Sequence, residues 1–155
     1  MKITDVFNLF TKEAGNKMTF KNINALFKHI EEQVQDTMTN EVADAVTENM
    51  AEAVQTSVYD AYNPQYYKRR MQNGGLIDRN NMDVTEIQNG IAVHNTAPLD
   101  NGRNDYNLDE IIVYGLGNQP FERDFYAETA ERLQENQEHT EALKQGLKKR
   151  GIEVE

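Results

Sequence analysis

The chain has no cysteine, no tryptophan, three prolines and a single serine, Ser57, in 155 residues. Without cysteine there is no disulfide, no thiolate nucleophile and no Cys-based zinc site. One serine, outside any GxSxG setting, removes most hydroxyl-nucleophile hydrolase mechanisms except those built on threonine. Gly115-Leu116-Gly117 lacks the third glycine and the helix start of a dinucleotide loop, and no GK[ST] phosphate loop exists. No apolar run approaches the ~20 residues of a membrane span, and no signal-peptide core follows Met1, so a soluble protein that stays inside a cell is expected. Six Phe and seven Tyr with a mean hydropathy of −0.78 allow only a modest core, not a large enzyme with a deep enclosed site.

What is abundant is acid. Sixteen Lys and Arg stand against 26 Asp and Glu, a formal net charge of −10, which argues against nucleic-acid binding over the whole surface. The charge is uneven. Residues 1–63 hold five bases and ten acids, whereas residues 64–75 hold Lys68, Arg69 and Arg70 and no acid; the last twelve residues again lean basic through Lys144, Lys148, Lys149 and Arg150. Two basic spots on an acidic body suit oriented self-association or docking. At the C-terminus the basic cluster also complements a helix dipole.

Residues 3–13 read as a short amphipathic helix stopped by Gly15 and Asn16, an arm over 1–18. Thr19 is then a plausible N-cap, and Ile23, Leu26, Phe27, Ile30, Val34, Met38, Val42, Val46, Met50, Val54 and Val58 recur mostly every four residues with no Gly or Pro before Pro64. That predicts one helix, or two collinear ones, over about residues 20–62. A spacing of four exceeds 3.6, so the stripe drifts and different parts should meet different neighbours. Forty helical residues reach about 60 Å, longer than a small globule, so one end should project toward another surface; a break near Thr37 to Asn40 is the competing arrangement.

Beyond Pro64 the segment NPQYYKRRMQNGG places Tyr66 and Tyr67 beside three consecutive bases, and Tyr59 and Tyr62 precede it. Interleaved aromatics and bases can stack on a single nucleic-acid strand, but on an acidic protein they more often anchor a protein interface. Gly74 and Gly75 permit a positive-φ turn. Leu76-Ile77 is expected to open a strand; Met82, Val84 and Ile87 form another, Asn89-Gly90 is a hairpin signal, and Ile91, Val93 and Asn95 return. A polar loop, a buried strand or short helix in DEIIVYGLG, and a C-terminal helix from Pro120-Phe121 to Gly151 complete an α+β domain over 19–155, with a long N-terminal helix, a small antiparallel β-sheet and a C-terminal helix.

Candidate chemistry is sparse. His29, His94 and His139 fall on separate elements without metal-ligand spacing, so no metal and no cofactor are expected. Asp60, Asp78 and Asp83 near the Tyr/Arg segment read as salt-bridge acids rather than paired catalytic ones. The chain is expected not to be an enzyme.

Taken as an ordered set, VYDAYNPQYYKRRMQNGGLID (58–78), DEIIVYGLGNQPFERDFYAETAERL (109–133) and HTEALKQGLKKRGIEV (139–154) resemble the head-to-tail joining, or tail-completion, neck proteins of siphophage-type tailed bacteriophages. In that family a long helix leads to a proline-containing turn with Gly-Leu, then a β-sheet, then an "[E/Y]xG…RPF" element that opens the last helix. Pro64, Gly75 and Leu76 match the first element, and Tyr114, Gly115, Pro120 and Phe121 the second, over roughly residues 20–154. Gln119 departs from the pattern, standing where the family often has Arg. The resemblance implies a non-catalytic virion protein, assembled in the bacterial host cytoplasm into a neck ring of six or twelve copies. Its partners would be portal or head-adaptor and tail proteins, with genomic DNA passing through the lumen without specific binding and no membrane contact. Interface or anchoring residues would be Tyr62, Pro64, Tyr66, Tyr67, Arg69, Arg70, Gly74, Gly75, Leu76, Tyr114, Gly115, Pro120 and Phe121, and residues 97–107 would order on assembly. The competing reading is a small acidic phage inhibitor that mimics DNA and binds a host nucleic-acid enzyme through the acids at 31, 32, 36, 41, 44, 48 and 52.

Overall fold

The computed structural model describes residues 19–99 and 107–154; the expected helix at 3–13 lies outside them, as does most of the 97–107 loop. The first element is a helical rod in four consecutive pieces: α1 (Ile23–Thr37), a π-helical segment (Met38–Val42), α2 (Ala43–Ala53) and a second π-helical segment (Val54–Tyr59). Backbone angles stay right-handed helical through every junction, so the rod does not break at Thr37 to Asn40. Its N-cap is Asn22 rather than Thr19: the Asn22 side chain accepts the Ala25 N–H at 2.9 Å.

The π segments explain how a four-residue apolar spacing serves one core. A π turn closes i→i+5 hydrogen bonds and so holds more residues per turn than an α turn. Two such turns absorb part of the drift that strict spacing of four would give a pure α-helix. Val42, Met50, Val54 and Val58 accordingly all end up buried. Each segment coincides with side chains that donate back to main-chain carbonyls one turn earlier: Thr37 Oγ1 to Gln33 at 2.7 Å and Asn40 Nδ2 to Asp36 at 2.7 Å in the first, Thr56 Oγ1 to Glu52 at 3.1 Å and Ser57 Oγ to Ala53 at 2.7 Å in the second.

After the rod, Leu76 and Ile77 are buried in a turn, not a strand. Their neighbour Asn95 makes the bonds a strand would have made: its Nδ2 donates to the Leu76 carbonyl at 2.7 Å. The sheet is a two-stranded antiparallel hairpin, β1 (Met82–Ile87) and β2 (Gly90–Asn95), in register Met82↔Asn95 to Ile87↔Gly90. Gln88 and Asn89 form the two-residue loop, Asn89 taking φ 62°. The segment around Ile112 resolves as a short helix, α3 (Leu108–Val113), with an Asn107–Glu110 capping box.

The expected single C-terminal helix is two, α4 (Phe125–Asn136) and α5 (Glu138–Lys149), parted by Gln137 at φ 58°. Both run antiparallel to the rod. Arg132 reaches Glu52 at 3.2 Å, the Asn49 Nδ2 donates to Glu138 at 2.7 Å, Asn136 donates to Asn49 Oδ1 at 2.8 Å, and Arg150 pairs with Asp36 at 2.6 Å. Buried Asn49 thus fixes the α4–α5 junction against the middle of the rod. Gly146 carries the closest approach, because a Cβ there would collide with the Thr37 methyl. The main core gathers Met50, Val54, Val58, Tyr59, Leu76, Ile77, Met82, Ala97, Ile112, Val113 and Phe125, with Phe125 fully enclosed. Toward its N-terminus the rod leaves this core: Ile23 and Phe27 are 48% and 55% exposed.

Candidate functional site

Where the second π segment ends, the chain turns through Pro64 into the tyrosine- and arginine-rich segment, and this segment meets the turn after α3. The side chain that joins them is Arg123. It is 4% exposed, yet no carboxylate among the described residues pairs with it. Its guanidinium lies 5.7 Å from the Tyr62 ring centroid and 5.3 Å from that of Phe121, and it donates to the Gln119 side chain. Gln119, the departure from the phage-neck pattern, is therefore an acceptor for an arginine rather than a substitute for one. Burial, and then the nearby Arg69 charge, push the Arg123 guanidinium below its ordinary value.

Arg69 is organised the same way. It donates to the Tyr59 carbonyl at 2.8 Å and stacks over the Tyr59 ring at 5.0 Å, while Arg70 donates to the Pro98 carbonyl. Burial raises the Tyr59 phenol, whose hydroxyl faces the Leu76 and Ile77 amides. Between these groups opens a cavity of about 390 Å³, floored by Val58, Leu76, Leu99, Leu108 and Ile112 and bordered by Tyr67, Lys68, Arg69, Arg70 and Arg123.

The glycines shape this face. Gly74 takes φ +85° with open space around it, and Asp78 accepts its N–H at 2.7 Å. Gly75 is needed for close approach instead of positive φ, since a Cβ would strike the Met71 backbone. Gly115, at φ +61°, lets residues 121 and 122 pass within contact distance. Of the residues singled out from sequence, Tyr66 (95% exposed), Tyr67, Tyr114, Pro120 and Phe121 present to solvent; Tyr62, Pro64, Arg69, Arg70, Gly74 and Gly115 are half-buried; Gly75 and Leu76 are buried. Tyr62 and Phe121, far apart in sequence, converge on Arg123. Sequence reasoning passed over Arg123 because Glu122 and Asp124 flank it, which reads as a solvated charge run.

A second polar cluster, which carries no motif in the sequence, surrounds Asp109. Asp109, 1% exposed, accepts the Tyr126 hydroxyl at 2.8 Å and lies 3.4 Å from His94 Nε2, while Tyr126 accepts the Asn95 N–H at 2.9 Å. Burial, then the Asp109 hydrogen bond, hold the Tyr126 phenol protonated far above its ordinary range. The hairpin brings His94 to this acid from its place opposite Asp83 in the register. Asp60 is engaged by Gln55, and Asp78 caps the 3₁₀ turn at Arg79–Asn81. Among the described residues, no group of three or more His, Cys, Asp or Glu is placed to hold a metal ion, and no helix is long and apolar enough to cross a membrane.

The C-terminal basic cluster is largely consumed within the fold. Arg150 grips Asp36 and Glu41 together, and Lys149 adds a 3.8 Å contact to Glu41. These pairs hold the Glu41 carboxyl below its ordinary range, chiefly through the Arg150 hydrogen bonds.

The YomN family model matches residues 22–149, from the cap of the rod to the end of α5. The chain belongs to the YomN family. YomN is of Bacillus phage type, and the chain is accordingly a phage-associated protein. No curated protein and no solved structure matches it. The YomN match takes in the rod, the Tyr/Arg segment, the hairpin and both C-terminal helices, so the face built around Arg123 lies wholly within the family's extent.

Proposed function

We propose that this YomN-family protein is a structural component of the phage virion that joins head to tail, assembling as a ring in the neck, and that it performs no catalysis. The observation that carries this reading is the convergence on Arg123. The two segments that resemble the neck family's paired motifs, Tyr62 to Leu76 and Tyr114 to Phe121, meet on one aromatic face. A ring requires heterologous contacts, one face against a different one. The chain offers dissimilar surfaces for it: exposed Tyr66 and Tyr67 on the Tyr/Arg segment with Tyr114 and Phe121 on the turn after α3, and the exposed tip of the rod with Ile23 and Phe27 elsewhere. DNA in a lumen lined by a protein of net charge −10 would be repelled and would slide rather than stick.

Mimicry of DNA finds less support. Of the rod's acids, Glu32, Asp36, Glu41, Asp44 and Glu52 each lie in an ion pair with a base of the same chain, whereas a mimic needs them free for a partner. Native mass spectrometry of the purified protein, alone and mixed with virion particles lacking it, tests the reading. A ring-sized oligomer, or a monomer taken up stoichiometrically at the neck, is expected. A lasting monomer that ignores virion parts and captures a host nucleic-acid enzyme would overturn it.

A further inference from the structure

The cavity beneath the Arg123 face has a feature that packing alone does not explain. Arg123 is 96% buried, since only 4% of it is exposed, and its Nε has no hydrogen-bond partner; the buried Nη2 of Arg69, on the same cavity wall, has none either. Enclosed guanidinium groups in proteins normally find a carboxylate, because a buried cation without a counter-charge is costly. Here the enclosed Arg123 neighbours the half-buried Arg69, and no Asp or Glu is among the described residues lining the cavity. Tyr67, Lys68 and Arg70 also border the cavity, and its floor is hydrocarbon from Val58, Leu76, Leu99, Leu108 and Ile112.

We propose that this cavity is a binding site for an oxyanion carried on a short apolar chain, its head held by Arg69 and Arg123 and its tail on the aliphatic floor. The volume of about 390 Å³ lies within the range of small-molecule sites, which combine a mostly apolar lining with a few fixed polar groups. Guanidinium N–H groups match the geometry of carboxylate and phosphate oxygens. Tyr59 and Tyr62 each cover one guanidinium face, and the Tyr59 carbonyl and Gln119 each take one N–H group, which leaves Arg69 Nη2 and Arg123 Nε as the donors without a protein acceptor. The hydrocarbon floor selects against a bare inorganic ion, which would leave that surface uncovered. The site does not depend on the head-to-tail role: a free metabolite and a neck protein's ligand would be read by the same groups.

Calorimetric titration of the whole chain with hexanoate, hexyl phosphate and hexanol tests the site, with the Arg123 Nε–H resonance followed by NMR. Saturable binding of at least one of the two acids, at least tenfold tighter than hexanol and accompanied by a shift of that resonance, is expected; comparison of the acids identifies the head group. Arg123→Gln and, separately, Arg69→Gln should each weaken the acid at least tenfold, with thermal melts confirming the fold of each variant. Failure of both acids to bind, or hexanol binding as tightly as they do, would overturn the proposal with the unaltered protein alone. Acid binding that persists undiminished in a folded Arg123→Gln protein would do the same.

Discussion

Single atoms decide the crossing of α5 over the rod. A methyl at position 146 would overlap the Thr37 side chain, which is itself fully buried. Gly146→Ala should therefore destabilise the fold by about 1–3 kcal/mol from overpacking, even though alanine improves helix propensity by about 1 kcal/mol. Adding Thr37→Ser, which deletes the offending methyl but keeps the hydroxyl that bonds Gln33, should recover most of the loss in urea unfolding; no recovery would place the conflict elsewhere. Beside this crossing, Arg150 depresses the Glu41 carboxyl from its ordinary value of 4.5. A depressed acid stabilises the fold above its ordinary value, and that stability is lost as pH falls through the lower, folded-state value. The melting temperature of the native protein should exceed that of Glu41→Gln at pH 7, and the gap should close below about pH 4.5; a gap independent of pH would show that the pairing contributes nothing. Sequence pattern reveals neither effect, because Gly146 sits in an ordinary helical stretch and Arg150 reads as a dipole partner of its own helix. Arg123 was hidden for a related reason: adjacent acids in sequence say nothing about which charges are neighbours in space.

Elements show where periodicity informs and where it falls silent. The four-residue spacing of the rod was legible and predicted its length, but the π turns that reconcile that spacing with one core depend on hydrogen bonds which no hydropathy pattern reports. The stretch Thr37 to Asn40 reads as a weak point of propensity, yet Thr37 and Asn40, like Thr56 and Ser57 further on, are the groups that bond the carbonyls around each π segment. Ser57→Ala should accordingly cost about 1 kcal/mol, read by denaturant midpoint at unchanged m value; a neutral result would mean that water serves the Ala53 carbonyl equally well. The hairpin was legible from Asn89-Gly90, although the loop proper is Gln88-Asn89. The α4–α5 break was not, since Gln137 carries no turn signal; it adopts a left-handed backbone because Asn49 draws both Asn136 and Glu138 to the rod. Leu76 and Ile77 have strand composition, but Asn95 takes up the Leu76 carbonyl from the side, so no ladder forms.

At the scale of the molecule, the α+β architecture and its long leading helix follow from composition and periodicity, and the phage association follows from the YomN match. The aromatic face does not follow from either, because it is assembled from segments some sixty residues apart. Tyr66 is the most exposed large hydrophobic side chain among the described residues at 95%. Tyr66→Ser should leave thermal stability within about 0.5 kcal/mol while removing an interface anchor whose loss costs on the order of 2 kcal/mol of association. Analytical ultracentrifugation or virion uptake would register that difference, and unimpaired assembly would exclude this face from the contact.

The clamp at Thr37, Gly146 and Arg150 also has a mechanical meaning. It grips the rod at the end of α1, so the fifteen residues of α1 extend from the grip like an oar from a rowlock. At about 1.5 Å per residue the blade is some 22 Å long. A tilt of about ten degrees at the grip would sweep Ile23 through roughly 4 Å, enough to carry a side chain from one partner groove to the next.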